Sequence, residues 1–454
     1  MFRQVINDFA SWYEEPRRKL LYVKGALGVG KTWAIKDFAT GFFASFVYIN
    51  LCDNPDICSL LTLNNLDKDL VKKIQSNDFP LDLPDIKPIL DAQVTLVDKL
   101  LSERYPDTDF EKAMLIFDDA ESFSISDCLM HNFKKLHPGY SISVVASTME
   151  ITPYQYHYKD IFEIIRMRPM SFEEYLIAQK AHPLIAAINN NKSVPLNPFE
   201  EKAILNYLRD YLLIGGMPGI VNEYIKTKNY SRIRSMQNEI IKKYETIIYK
   251  KLSSSMSQRC RRIWKSIPSQ LERDNKKFMY KYTEQNARAR EYSEATQVLC
   301  NLGFARKLPR LTAAILPLEE HADYKSFELF LVDHGLLRAM YNLPISEELA
   351  VADILQEKNG AIAEQYCFQE LSGKLGYLYY WISGATARVP FVYESDHSAI
   401  PVDIQLVPRT KAQNVKVFAK KNEGIDISLK ISLEQVALKK DVLNVPAYSL
   451  WTLI

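Results

Sequence analysis

The sequence predicts an α/β protein built on a parallel sheet, and three observations predict it. KLLYV is a short apolar run of buried-strand type that leads into the glycine loop GALGVGKT. TWAIKDFATGFF follows with Trp33, Ile35, Phe38 and Ala39 at roughly helical spacing. Further on, KAMLIFDDAESF is a second apolar strand that ends in Asp118 and Asp119.

The loop has Gly25, four residues, then Gly30-Lys31-Thr32. Strand, glycine loop and helix start are what triphosphate binding requires. Glycines let backbone N–H groups wrap phosphate oxygens, and the helix N-terminus adds positive potential. Gly25, Gly28, Val29, Gly30, Lys31, Thr32 and Trp33 form the expected nucleotide contacts. Lys31 reaches the outer phosphates as a point charge, and Thr32 offers its hydroxyl to Mg2+. A glycine turn with an incidental lysine is the competing reading.

An acid at the end of a parallel strand beside such a loop can hold Mg2+ through water. Asp118 takes that role. Asp119 is the expected catalytic group that polarises the attacking water, together with Lys31, and Glu121 is the second choice for that task. Two solvated acids capping a strand would look the same. SFVYINL and SISVVAST supply further strands of the sheet, and the second places Ser147 and Thr148 at a carboxyl end, where ligands bind. There is no Asn-Lys-x-Asp motif to read guanine, so ATP with Mg2+ is the expected ligand pair.

The rest of the chain changes character. Its 454 residues suit about three domains. The 57 basic and 55 acidic residues leave a net charge of only +2, which points to no partner. No apolar run is long enough to span a membrane, the N-terminus does not read as a signal peptide, and the six cysteines lack paired metal-ligand spacing. A cytoplasmic protein with reduced thiols is expected. Residues 1–170 form the loop-bearing core. Residues 171–229 read as a small helical lid, with Ser171 and Asn197 as candidate N-caps. Residues 230–310 carry about twenty Lys and Arg against about seven Asp and Glu, with aromatic residues interleaved. Helices followed by a strand pair over residues 230–345 suggest a winged helix that could lie on a DNA or RNA backbone. A solvated or domain-facing basic surface is the alternative.

The ordered segments GALGVGKT, YINLCDNP, LIFDDAE, VVAST, MRPMSFEEYL, YLLIGGMPGIV, ELFLVDHGLL, GAIAEQYCFQEL and IPVDIQ resemble a family of bacterial and archaeal AAA-type P-loop ATPases with a C-terminal domain of unknown function. The resemblance covers almost the whole chain. It implies an AAA-like ATPase core, a lid, a winged helix and, over residues 346–454, a domain of the restriction-endonuclease fold. It also shows departures. The family has Asp-Glu where this chain has Asp118-Asp119. The family's Gly-Arg pair, a candidate arginine finger, matches Lys159-Asp160, with Arg166 and Arg168 nearby. In the C-terminal domain the family's metal-binding acids match Glu364 and Asp403, but Arg388, Pro390 and Gln405 stand at the other positions. The resemblance therefore implies a nuclease-like domain without cutting activity. Three functions follow: an ATP-driven switch on nucleic acid, a non-catalytic ATP-binding scaffold, and an ATP-dependent nuclease. Hydrolysis in such cores is often completed by a neighbouring subunit, so an oligomer is open.

Overall fold

A computed structural model describes residues 2–63, 66–75, 80–120, 126–191, 193–384, 387–395, 397–405 and 413–453. The chain divides into two compact units. One comprises Arg3–Met167 with Asn301–Gly303. The other comprises Met1–Phe2, Arg168–Cys300 and Phe304–Ile454.

The first unit runs α1 (Val5–Glu14), β1 (Leu20–Gly25), α2 (Lys31–Phe42), β2 (Ser45–Asn50), α3 (Pro55–Leu61), α4 (Lys68–Gln75), α5 (Lys87–Arg104), β3 (Ala113–Asp118), α6 (Asp127–Leu136), β4 (Ser141–Ala146), α7 (Pro153–His157) and β5 (Phe162–Met167). Its five strands lie in the order β2-β3-β4-β1-β5, and every pairing is parallel. The sequence explains which strands are central. β1, β3 and β4 are almost wholly apolar and every residue is buried, as a strand covered on both faces requires. β2 and β5 mix polar with apolar residues and are only partly buried, as befits the two edges. Aromatic packing fixes α1 on α2: Phe9 and Phe38 are both fully buried, with ring centroids 5.4 Å apart. Truncating either would cost about 3–5 kcal/mol.

The second unit begins with α8 (Phe172–Ala178), α9 (His182–Asn190), α10 (Pro198–Ile214) and α11 (Pro218–Thr227). Ser171 and Asn197 each cap a helix through a reciprocal capping box with Glu174 and Glu200. Then come α12 (Tyr230–Lys251), α13 (Ser254–Leu271), α14 (Ala289–Asn301), β6 (Ala305–Leu311), β7 (Ala322–Leu331) and α15 (His334–Met340). The chain closes with α16 (Val351–Lys374, broken at Glu357–Gly360), β8 (Tyr379–Ser383), β9 (Ala387–Glu394), β10 (Ala399–Ile404), α17 (Gln413–Lys421), β11 (Ser428–Ser432), β12 (Ala437–Lys439) and β13 (Val442–Pro446).

Helix α14 stops at Asn301. Gly303 adopts φ 74°, and ARKLPRL is strand β6. The β6–β7 pair is not a free wing. It forms one end of an eight-stranded mixed sheet in the order β12-β13-β11-β10-β9-β8-β6-β7. Apart from Asn301–Gly303, the lid, basic and C-terminal segments read from the sequence fall within this one compact unit.

Candidate functional site

The glycine loop lies between the carboxyl end of central strand β1 and the first turn of α2. Its glycines are required by geometry. A Cβ on Gly25 would lie 2.5 Å from the Met167 carbonyl oxygen, and Gly28 and Gly30 hold φ of 90° and 89°. Those angles strain any L side chain. The Lys31 ammonium, nearly buried, donates to the carbonyls of Gly25 and Ala26 and to Ser147 Oγ, each at 3.0 Å. Val29 is fully buried, so only its backbone can face a ligand, while Trp33 in the first turn of α2 is exposed. Arg3, which sequence reasoning missed, donates to the Val29 carbonyl at 2.7 Å and anchors the loop from below. Nothing in the local sequence flags an N-terminal arginine for this task, since the contact spans 26 residues.

The acid strand β3 brings Asp118 to the loop. Its Oδ2 accepts from Thr32 Oγ1 at 2.6 Å and from the Tyr48 hydroxyl at 2.9 Å, and its Oδ1 accepts the Asp119 amide at 2.8 Å. Thr32 and Asp118, the two residues expected from the sequence to hold Mg2+, thus touch. Tyr48 comes from edge strand β2, whose Asn50 pairs in register with Asp118. Burial, then the neighbouring Asp118, pushes its phenol up to about 12, so it remains a donor. Asp119 adopts φ 64°, uncommon for an aspartate, and its Oδ2 accepts from the Cys52 thiol at 2.6 Å. Glu121 lies outside the described residues.

The two hydroxyls at the end of β4 separate. Ser147 joins Lys31, whereas Thr148 Oγ1 donates to the Asn301 carbonyl at 2.9 Å. Of the finger candidates, the Lys159-Asp160 pair lies away from the loop. Lys159 and Asp160 precede β5, at the amino end of a strand parallel to β1, and the loop follows the carboxyl end. Arg166 is exposed beside Lys24 on the sheet edge, and Arg168 donates to the Ser372 carbonyl.

In the second unit, the segments GGMPG, VDHGLL and EQYCFQEL meet in a buried hub. Asp333 accepts the amides of Gly216 and Leu336, and His334 bonds Gln369 and the Tyr211 carbonyl. Gly215 and Gly335 approach so closely that a Cβ on Gly335 would lie 2.6 Å from the Gly215 Cα. These motifs hold the fold and make no open site.

Glu364 on α16 does not stand open to a metal. Arg388 binds both its oxygens, at 3.0 and 2.7 Å, and also both oxygens of Glu328, at 2.9 and 2.7 Å. Lys276 adds a third contact to Glu364 at 2.8 Å. The two cations hold the Glu364 carboxyl down at about 2, against the opposing pull of burial. Asp403 is buried and bonded to the Ile404 amide and the Gln405 side-chain amide. Among the described residues no cluster of three or more His, Cys, Asp or Glu could hold a metal.

A parallel sheet thus carries a glycine loop, a lysine and a paired Thr–Asp at its carboxyl edge. Residues 205–347 match a family model described as a domain of unknown function, DUF8612. That match lies in the middle of the chain and ends before the C-terminal segment. No curated protein matches. Among solved structures, the chain is similar to ORC1 of Aeropyrum pernix, solved in complex with DNA, at 9% identity over 76% of this chain and 91% of that one, with a TM-score of 0.30. It is also similar to PCH-2 of C. elegans, at 13% identity over 53% of this chain and 67% of that one, with a TM-score of 0.27. No helix among the described residues is long and apolar enough to cross a membrane.

Proposed function

We propose that the chain is a Mg2+-dependent AAA-type ATPase that works as a nucleotide-driven switch. The observation that carries this reading is the 2.6 Å contact between Thr32 and Asp118 beside the enclosed Lys31 ammonium. When Mg-ATP enters, Gly28, Gly30 and the start of α2 present backbone amides to the phosphates. Lys31 exchanges its carbonyl partners for phosphate oxygens. Thr32 and Asp118 are the groups that would hold Mg2+, which supplies charge neutralisation at the phosphates. Asp119 orients water from a carboxylate one methylene shorter than the family's glutamate, which favours slow turnover. Steady-state ATPase assays with Lys31→Ala and Asp119→Asn test this. The first variant should lose ATP binding and the second should keep binding but lose turnover. Unchanged ATP affinity in Lys31→Ala would refute the site.

A second reading concerns the partner. Helices α12–α14 followed by the β6–β7 pair have the order of a winged helix, and Arg232, Lys242, Lys243, Lys250, Arg261 and Lys265 are exposed along them. Tyr249 is 69% exposed and Tyr282 is flanked by Arg273 and Lys281, so a base could stack between cations. These features support DNA or RNA as the partner, through residues 230–310. Gel-shift titration should show affinity that falls steeply with salt. If ATP binds tightly without turnover and no nucleic acid binds at low salt, the scaffold reading replaces both.

The element order α16-β8-β9-β10-α17-β11 supports a nuclease-like C-terminal domain. The Arg388 clamp on Glu364 and Glu328 supports its being inactive. A guanidinium already neutralises the carboxylates that a metal would need.

A further inference from the structure

The first unit holds a second cleft, at the end of the sheet opposite the phosphate loop. It has a volume of about 630 Å³ and is bounded by the loops that feed β1, β4 and β5, together with the turn at Leu81-Asp82. Strands of this length hold the two sites about 20 Å apart. The cleft is apolar inside and cationic at the rim. Pro16, Leu81, Tyr158 and Ile161 supply the apolar lining, and the His131 ring, 7% exposed, adds a flat polar-tipped face.

The rim charges are unequal in availability. Lys19 is paired with Glu163, and Lys134 donates to the Pro138 and Tyr140 carbonyls. Arg18 lies 4.8 Å from the Tyr13 ring centroid. Arg17 and Lys135 are exposed and make no ion pair among the described residues. Asp82 and Asp160 are the opposing carboxylates. Four cations not paired with Glu163 therefore face two acids. The His131 Nδ1 is 2.8 Å from the Tyr154 hydroxyl, which fixes the ring, and its Nε2 has no hydrogen-bond partner among the described residues. His131 is held neutral, its pKa lowered to about 4 mainly by burial, so Nε2 is a fixed polar atom rather than another charge.

We propose that this cleft binds a small anion with a flat apolar body, of the aryl phosphate class. The body packs on Tyr158, Ile161 and the His131 ring, and the charged group meets Arg17 and Lys135 at the rim. The volume and the pairing of an apolar lining with a few polar groups are those of small-ligand sites. The excess of positive charge selects the sign of the ligand.

Isothermal titration of the full chain with 1-naphthyl phosphate tests the site. One saturable site is expected in the unmodified chain and, unchanged, in Lys31→Ala, where the phosphate loop is disabled. Arg17→Glu combined with Lys135→Glu changes only exposed side chains, and it should weaken binding about tenfold, a loss of ~1.4 kcal/mol. The uncharged 1-naphthol should bind at least about tenfold more weakly than the phosphate. Three results would overturn the proposal: no saturable binding at millimolar probe, loss of binding in Lys31→Ala, or affinity unmoved by the double charge reversal.

Discussion

The Tyr48 hydroxyl donates to the same Asp118 oxygen that accepts the Thr32 hydroxyl, at 2.9 and 2.6 Å. Tyr48 therefore fixes the rotamer of the acid expected to hold Mg2+. Its own ring is held by the Lys36 ammonium, 3.1 Å from the centroid. Tyr48→Phe keeps the ring and removes the donor. A hydrogen bond to a charged group contributes about 1.5–3 kcal/mol. ATP turnover should fall by about tenfold or more, and the Mg2+ concentration for half activity should rise, while ATP affinity changes little. Equal activation curves for variant and parent would rule out this positioning role.

Cys52 is exposed and its thiol contacts Asp119, whereas Cys58, Cys128, Cys260 and Cys367 are buried. Alkylation by N-ethylmaleimide should therefore slow ATP turnover, because the adduct occupies the space beside the Asp119 carboxylate. Cys52→Ala should retain turnover and become resistant to the reagent. Inactivation of the Cys52→Ala protein at the parental rate would place the sensitive thiol elsewhere.

Arg388 is the shared partner of fully buried Glu328 and largely buried Glu364. Removing one member of a buried ion pair costs about 3–5 kcal/mol, because the remaining charges lose their partner. Arg388→Ala should lower the denaturant midpoint accordingly. Arg388→Lys should recover only part of the loss, since an ammonium cannot bind two carboxylates in forked geometry. The parent should not cleave plasmid with Mg2+ or Mn2+, and Asp403→Ala should behave identically.

Glu370 is fully enclosed, bonded by the Phe172 amide and the Tyr211 hydroxyl. Burial pushes its carboxyl up to about 8 from an ordinary 4.5. The folded state therefore keeps a proton that the unfolded chain loses above about pH 4.5. Stability contributed at this site is full below that pH and declines as pH rises towards about 8. Glu370→Gln, a neutral isostere, should flatten the pH dependence of the melting temperature between pH 5 and 8. A parallel decline in variant and parent would assign the slope to other groups.

The readable parts of the sequence were local ones. GALGVGKT with its flanking strand and helix, the apolar runs of β1, β3 and β4, and the capping boxes at Ser171 and Asn197 all depend on residues a few positions apart. Hydrophobic period, glycine freedom and cap chemistry act at that range, so they can be read without coordinates. A strand pair was legible in this region, but the place of β6 beside β8 was not, because the pairing joins Arg310 to Tyr380 across seventy residues of chain.

By itself, the sequence determined a glycine loop between a buried strand and a helix of a parallel sheet, with the acids Asp118 and Asp119 at the end of another strand. Tertiary structure decided the rest. It placed Arg3 under Val29, Tyr48 on Asp118, Cys52 on Asp119 and Arg388 between Glu328 and Glu364. It also turned Thr148 away from Lys31 towards Asn301 and opened a cationic cleft at the far end of the same sheet. The physical reason is range. Backbone propensity and periodicity act between neighbours, whereas a charge or hydroxyl finds its partner only once strand order brings distant segments within hydrogen-bonding distance.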